Sequence, residues 1–238
     1  TLHANKAAGA IATKLIDSLG IIDCEFDNIS SENNGGAIFI DSNGNKQKDI
    51  SVVLTTNRFD NCYSSFGGAI LQLGGHLILS LTNFTSNMAK YEGGAIYTSY
   101  ANVQIYETNF KSNTLKDEVS YGGACYFDKG DVLLIKNNFE NNLGYNVSTI
   151  FAYDTNLNMN NNYFNNPSGV TSIYTVNGKV SSNGNNFTDD KLSLNNKNDN
   201  YNFEGSANPF TVINSPSPVE NIPEKFDLRD YNWVSPDD

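Results

Sequence analysis

A Gly-Gly-Ala-Ile motif followed by Asn-x-Phe recurs along the chain at a nearly fixed separation. Ile70 to Phe84, Ile96 to Phe110, Cys125 to Phe139, Ile150 to Phe164 and Ile173 to Phe187 each span fourteen residues. Ile11 to Phe26 spans fifteen and Ile38 to Phe59 twenty-one, so the first coils carry insertions. Self-similarity with a period of about 20–50 residues marks a solenoid, whose single unit is too small to bury its own apolar face.

Two more apolar columns lie between the landmarks. Leu19, Val52, Leu77, Val103, Val132, Leu157 and Val180 stand seven residues before each Phe. Ile21, Leu54, Leu79, Ile105, Leu134 and Met159 stand five before it, with Ser182 breaking the rule. Apolar positions separated by one variable residue follow the period of a strand and not of a helix. Each unit therefore predicts two or three short strands joined by Gly- and Asn-rich turns. Stacked in parallel at about 4.8 Å, such units form an all-β, parallel β-helix of about seven coils over residues 1–190, roughly 30–35 Å long. Right-handed coiling is expected, because parallel crossovers almost always have that hand.

The glycine pairs at 35–36, 67–68, 93–94 and 122–123 fall where the chain enters a strand, so they predict positive φ or close approach of a neighbouring coil. Asn83, Asn109, Asn138 and Asn186 precede the Phe, and Asn87, Asn113 and Asn142 come three residues after it. In register these amides predict hydrogen-bonded ladders along the turns. Cys24, Cys62 and Cys125 occupy different columns, which predicts small buried thiols and no disulfide framework.

The formal net charge of −11, with scattered Lys and Arg, leaves no basic stripe for nucleic acid. The apolar runs are too short to span a bilayer. Thr1 to Ala8 begins within a repeat, so the sequence reads as a fragment or a mature segment. Asn-x-Ser/Thr acceptors at Asn28, Asn83, Asn146 and Asn186 are candidate glycosylation sites of an exported protein, although two of them belong to the Asn-Phe-Thr form of the repeat.

The run Thr82-Asn83-Phe84-Thr85-Ser86-Asn87, with Gly93-Gly94-Ala95-Ile96 after it, resembles the repeats of polymorphic outer-membrane proteins. It is still more similar to the adhesin-like surface proteins of methanogenic archaea. The resemblance covers about residues 8–190 and implies an extracellular stalk or adhesin, without catalytic residues. A second resemblance lies in Pro223-Glu224-Lys225-Phe226-Asp227-Leu228-Arg229-Asp230-Tyr231-Asn232-Trp233-Val234-Ser235-Pro236, which looks like the opening strand of a papain-like cysteine peptidase domain. The nucleophilic Cys, His and Asn of that family are missing, since the sequence ends at Asp237-Asp238. This implies a parent protein that continues into a peptidase domain.

Three candidate sites remain. The residues after the Ile column, Phe39, Tyr97, Tyr126, Phe151 and Tyr174, lie on the opposite strand face and would form an external aromatic ladder for sugar rings or a protein. Asp41, Asn43, Asn45 and Asp49 imitate a calcium loop, but Lys46 and Val52 stand where Gly and Glu belong, so a polar loop is expected. Carboxylates that would make a polysaccharide-cleaving enzyme do not pair: Asp189-Asp190 point apart, Asp227 and Asp230 lie in the tail, and Asp60, Glu107 and Glu140 fall in different columns.

A C-terminal cap is expected over residues 191–214, with Phe203 to Ile213 folding over the last coil, and a Pro-rich linker and truncated papain-like start over 215–238. The leading reading is a non-catalytic cell-surface module, monomeric or part of a longer chain, that contacts glycans or proteins and displays a downstream domain. No catalytic residue, cofactor or metal is expected. A peptidase pro-region or targeting segment, and a polysaccharide-active β-helix, are the alternatives.

Overall fold

The computed structural model describes residues 2–4, 8–14, 16–42, 50–117, 120–144, 148–167, 171–188, 191–194, 200–204 and 212–213. The sheets of these residues are built from parallel pairings between coils, and no helix occurs among them. The Ile column stacks in register, Ile38 beside Ile70, Ile70 beside Ile96, Ile96 beside Cys125, Cys125 beside Ile150 and Ile150 beside Ile173. So does the next column, from Val52 through Leu77, Val103, Val132 and Leu157 to Val180. The chain is a parallel β-solenoid.

One coil is seen in Ile70–Leu73, His76–Ser80, Asn83–Thr85 and Met88–Glu92. That is four strand segments where the apolar pattern suggested two or three. The fourth was hidden because its residues are mostly polar or aromatic and carry no apolar alternation. Asn83–Thr85 and its equivalents form a seven-stranded sheet, and the segments equivalent to Met88–Glu92 form a five-stranded one. The remaining two faces merge into one sheet, because Cys125–Ile135 and Ser148–Asn160 run unbroken around the bend between them.

The bends arise from local backbone chemistry. Tyr100, Lys129, Asp154 and Asn177 have φ between 47° and 57° at one corner, where Gly74 and Gly75 do the same work a coil earlier. A second corner, three residues before the Phe, holds Asp23, Thr56, Leu81, Glu107, Lys136 and Asn161, also with positive φ. The left-handed conformation costs a non-glycine residue about 1–2 kcal/mol, so each corner is sustained by the pairing on both sides of it.

Inside the coils the four columns are buried from Ile38 onward, whereas Ile11 and Leu19 of the first coil are only partly covered. The Phe column is a stack of seven rings, Phe26 through Phe187, with centroids 4.7–5.0 Å apart and planes within 5° of parallel. At the glycine pair the two residues answer different demands. Gly67 has φ +60°, and a Cβ there would overlap the Ile70 carbonyl oxygen. Gly68 has no such φ, but a Cβ on it would overlap the Gly94 carbonyl of the neighbouring coil.

In the stretch expected to form a cap, Lys191–Leu194 and Asn200–Glu204 pair in parallel with the preceding coil, Leu192 registering with Ile173 and Tyr201 with Val180. The backbone pattern therefore continues beyond residue 190. Phe210 and the tail 215–238, with its peptidase-like segment, lie outside the described residues.

Candidate functional site

The aromatic ladder exists, but it does not face solvent. Tyr97 and Tyr126 stack at 5.0 Å, Tyr126 and Phe151 at 4.9 Å, and Phe151 and Tyr174 at 5.4 Å. Their faces are opposite to the Ile column, as the strand period requires, and they form a core cluster separate from the interior one. Yet Phe39, Tyr97, Tyr126, Phe151 and Tyr174 are all at most 2% exposed. The expectation of an external ladder open to ligands is thus corrected.

The cover comes from the residues just before the glycine pairs, the column Asn34, Phe66, Glu92 and Tyr121. The turn at each glycine pair folds this column back across the next strand. Phe66 meets Tyr97 edge-on at 5.9 Å, and Tyr121 lies 4.6 Å from Phe151. The aromatic content of Phe66 and Tyr121 was the signal available in the sequence. Alternation within a strand does not expose that signal, because it says nothing about what another strand lays upon it.

One member of the cover is acidic. Glu92 is 8% exposed, and its Oε2 has no hydrogen-bond partner. Burial, with the nearby Asp128 charge adding to it, holds its carboxyl well above the usual carboxylate range. Asp128 is itself buried and accepts a hydrogen bond from Ser99 Oγ at 2.7 Å. Burial, then the Glu92 and Asp128 charges, pushes the Tyr126 hydroxyl up as well. This pair of carboxyl groups was not anticipated; it sits within the second core, closed to a solvent-borne substrate.

The other anticipated residues separate cleanly. Asn113 Nδ2 donates to Asn142 Oδ1 at 2.8 Å, and Asn87 Nδ2 to Asn113 Oδ1 at 3.0 Å, making the expected ladder after the Phe. A second buried ladder lies two residues before the Phe, where Asn137 donates to Asn162 and Asn162 to Asn185 at 3.0 and 2.9 Å. Asn83 and Asn109, one residue later, bond each other at the surface instead. Of the candidate glycosylation sites, Asn28 and Asn83 are exposed, Asn186 is half-buried, and Asn146 lies outside the described residues.

Asp41 is the last residue of the strand Ile38–Asp41 and is buried, while residues 43–49 of the calcium-like loop are outside the described residues. Among the described residues no three His, Cys, Asp or Glu side chains gather as metal ligands would. Glu107 and Glu140 pair with Lys136 and Lys111 at 3.5 and 3.4 Å, and Asp60 with Arg58, so these acids form no catalytic pair. Asp189-Asp190, Asp227 and Asp230 lie outside the described residues. Cys62 and Cys125 are buried free thiols, whereas Cys24 is exposed, contrary to expectation, because its turn leaves the core two residues before Phe26.

Two segments, residues 23–41 and 82–99, match the repeat of the Chlamydia polymorphic membrane protein family. Each runs from the Phe-side strand through the glycine pair into the next Ile strand, a portion that includes the bend two residues after the Phe, at Asn28 or Ser86, and the bend at the glycine pair. The match supports a polymorphic-membrane-protein-type repeat in a β-solenoid. No curated protein and no solved structure is similar enough to add to this.

Proposed function

We propose that this chain is a non-catalytic, adhesin-like β-solenoid at a cell surface, a stiff spacer that holds a binding face and whatever adjoins it away from the cell. The observation that carries the reading is the combination of in-register stacking with repeats of the polymorphic membrane protein type. The family's description names membrane proteins, which favours an outer-membrane or surface location. A surface spacer needs length and stiffness, and stacked sheets with ring-on-ring Phe contacts supply both. The exposed Asn28 and Asn83 acceptors suit the same location.

Protease shaving of intact source cells tests the placement. Peptides of this chain should be released before lysis, and recovery only after lysis would refute it. A second reading, in which the module serves a papain-like peptidase, rests on Pro223 to Pro236 alone. A longer parent chain that hydrolyses peptides, with this segment inert, would support that reading.

A further inference from the structure

We infer that an axial groove on the outer face of the solenoid binds a linear, uncharged oligosaccharide, lying along the stack with successive sugars on successive coils. This deepens the adhesin reading and rests on it, by naming where the molecule grips and what it grips. The groove has a volume of about 710 Å³.

Its edge is the column His76, Asn102, Asp131, Asn156 and Lys179. Its floor is the outward-facing column Gln104, Leu133, Asn158 and Ser181, which lies between the inward Val103 and Ile105 columns and their equivalents. Neither column belongs to the aromatic ladder or to either core.

The edge is ordered by its own hydrogen bonds. Asn156 Nδ2 donates to Asp131 Oδ1 at 2.7 Å, and the Asp131 backbone N–H to Asn102 Oδ1 at 3.2 Å. Asn102, Asp131, Asn156 and Lys179 are nevertheless exposed, so their remaining donors and acceptors face outward. Amides and a carboxylate set side by side offer the paired acceptors and donors that neighbouring hydroxyls need. Half-buried Leu133 supplies apolar floor for the C–H face of a ring. Because each coil presents a polar residue at the edge position, about 4.8 Å from the next, the edge fits a ligand that repeats with a similar step.

Competing occupants fit less well. The floor strands already use their backbone groups on both neighbours, so an added peptide strand finds no open edge. A polyanion is disfavoured by the net charge of −11, and the one Lys179 of the edge is offset by Asp131.

The test is a glycan array probed with the full chain, and then calorimetry on the best neutral linear oligomer, from disaccharide to hexasaccharide. Affinity should rise with length until about four or five sugars span the edge column at about 4.8 Å per coil. The N102A/N156A double variant should bind at least about tenfold more weakly with an unchanged circular dichroism spectrum, the effect of losing two sets of polar contacts. N109A, on another face, should bind as the parent does. Absence of any neutral glycan ligand, a length-independent affinity, or undiminished binding by the double variant would overturn the proposal. Preferential capture of a polyanion or peptide would overturn it too. A chain shaved from intact cells that binds no glycan sinks the groove alone, whereas a chain found only inside cells sinks the surface reading.

Discussion

Replacing Asn113 with Ala should destabilise the solenoid far more than replacing Asn109, although both belong to the same motif. Asn113 is fully buried and makes four side-chain hydrogen bonds. Its Nδ2 donates to the Phe84 carbonyl at 3.0 Å and to Asn142 Oδ1 at 2.8 Å. Its Oδ1 accepts from the Asn87 backbone N–H and Asn87 Nδ2, both at 3.0 Å. Truncation strands the Asn87 backbone N–H, removes one of the two partners of Asn87 Nδ2, which keeps the Phe59 carbonyl at 2.9 Å, and takes the amide donor from the Phe84 carbonyl; methyl replaces none of these and a sealed turn excludes water. At about 1–3 kcal/mol per unsatisfied buried group, with partial relaxation, N113A should cost about 3–5 kcal/mol. Asn109 makes one exposed bond, to Asn83 at 2.9 Å, so N109A should stay within about 0.5 kcal/mol of the parent. Urea unfolding monitored by circular dichroism measures both, with the midpoint as the readout, since long repeat arrays lose two-state behaviour. Equal small shifts for the two variants would refute the view that the buried amide ladder holds the turns.

The same contacts fix further outcomes. F110A removes a ring stacked at 5.0 and 4.8 Å on its neighbours and should cost about 3–5 kcal/mol in the same urea assay. G94A should fail to give folded protein on expression, because its Cβ would overlap the Gly123 backbone carbonyl of the next coil. E92Q should raise the melting temperature at neutral pH: the folded-state carboxyl titrates above its unfolded value near 4.5, so its favourable contribution is complete below that value and is lost as pH rises. The melting-temperature advantage of E92Q over the parent should therefore widen between pH 4 and pH 8. Thiol titration of the native chain should find Cys24 reactive at once and Cys62 and Cys125 only after unfolding, since burial pushes the Cys62 thiol up to about 12 and Cys125 well up in the same direction.

The interior was legible because its columns obey a fixed spacing. Ile70, Leu77, Leu79 and Phe84 announce one coil, and the same offsets find Ile96, Val103, Ile105 and Phe110 in the next. The outside of the coil was harder to read. Tyr97 and Tyr126 were placed on the correct strand face, but their burial depends on Phe66, Glu92 and Tyr121, which belong to another strand and reach them only through the glycine turn. Corner residues such as Tyr100 and Lys129 adopt positive φ despite ordinary side chains, so composition could not mark them. The buried amides at Asn137 and Asn162 are masked in the sequence by neighbours such as Asn138, since in an Asn-rich turn only the three-dimensional register tells which amide points inward. The groove shares that fate: Asn102, Asp131 and Asn156 become one edge only when the coils are stacked.

The stacking itself is best tested by cross-linking across coils. Gln104 and Leu133 are register partners on the outer face, and Leu133 and Asn158 are the next pair along. Adjacent coils put Cα atoms about 4.8 Å apart, inside the disulfide range, whereas two coils put them about 9.6 Å apart and outside it. In a C24S background, Q104C/L133C should oxidise to an intramolecular disulfide located by peptide mapping, and Q104C/N158C should remain a pair of thiols. A bridge in the second variant, or none in the first, would contradict the in-register solenoid.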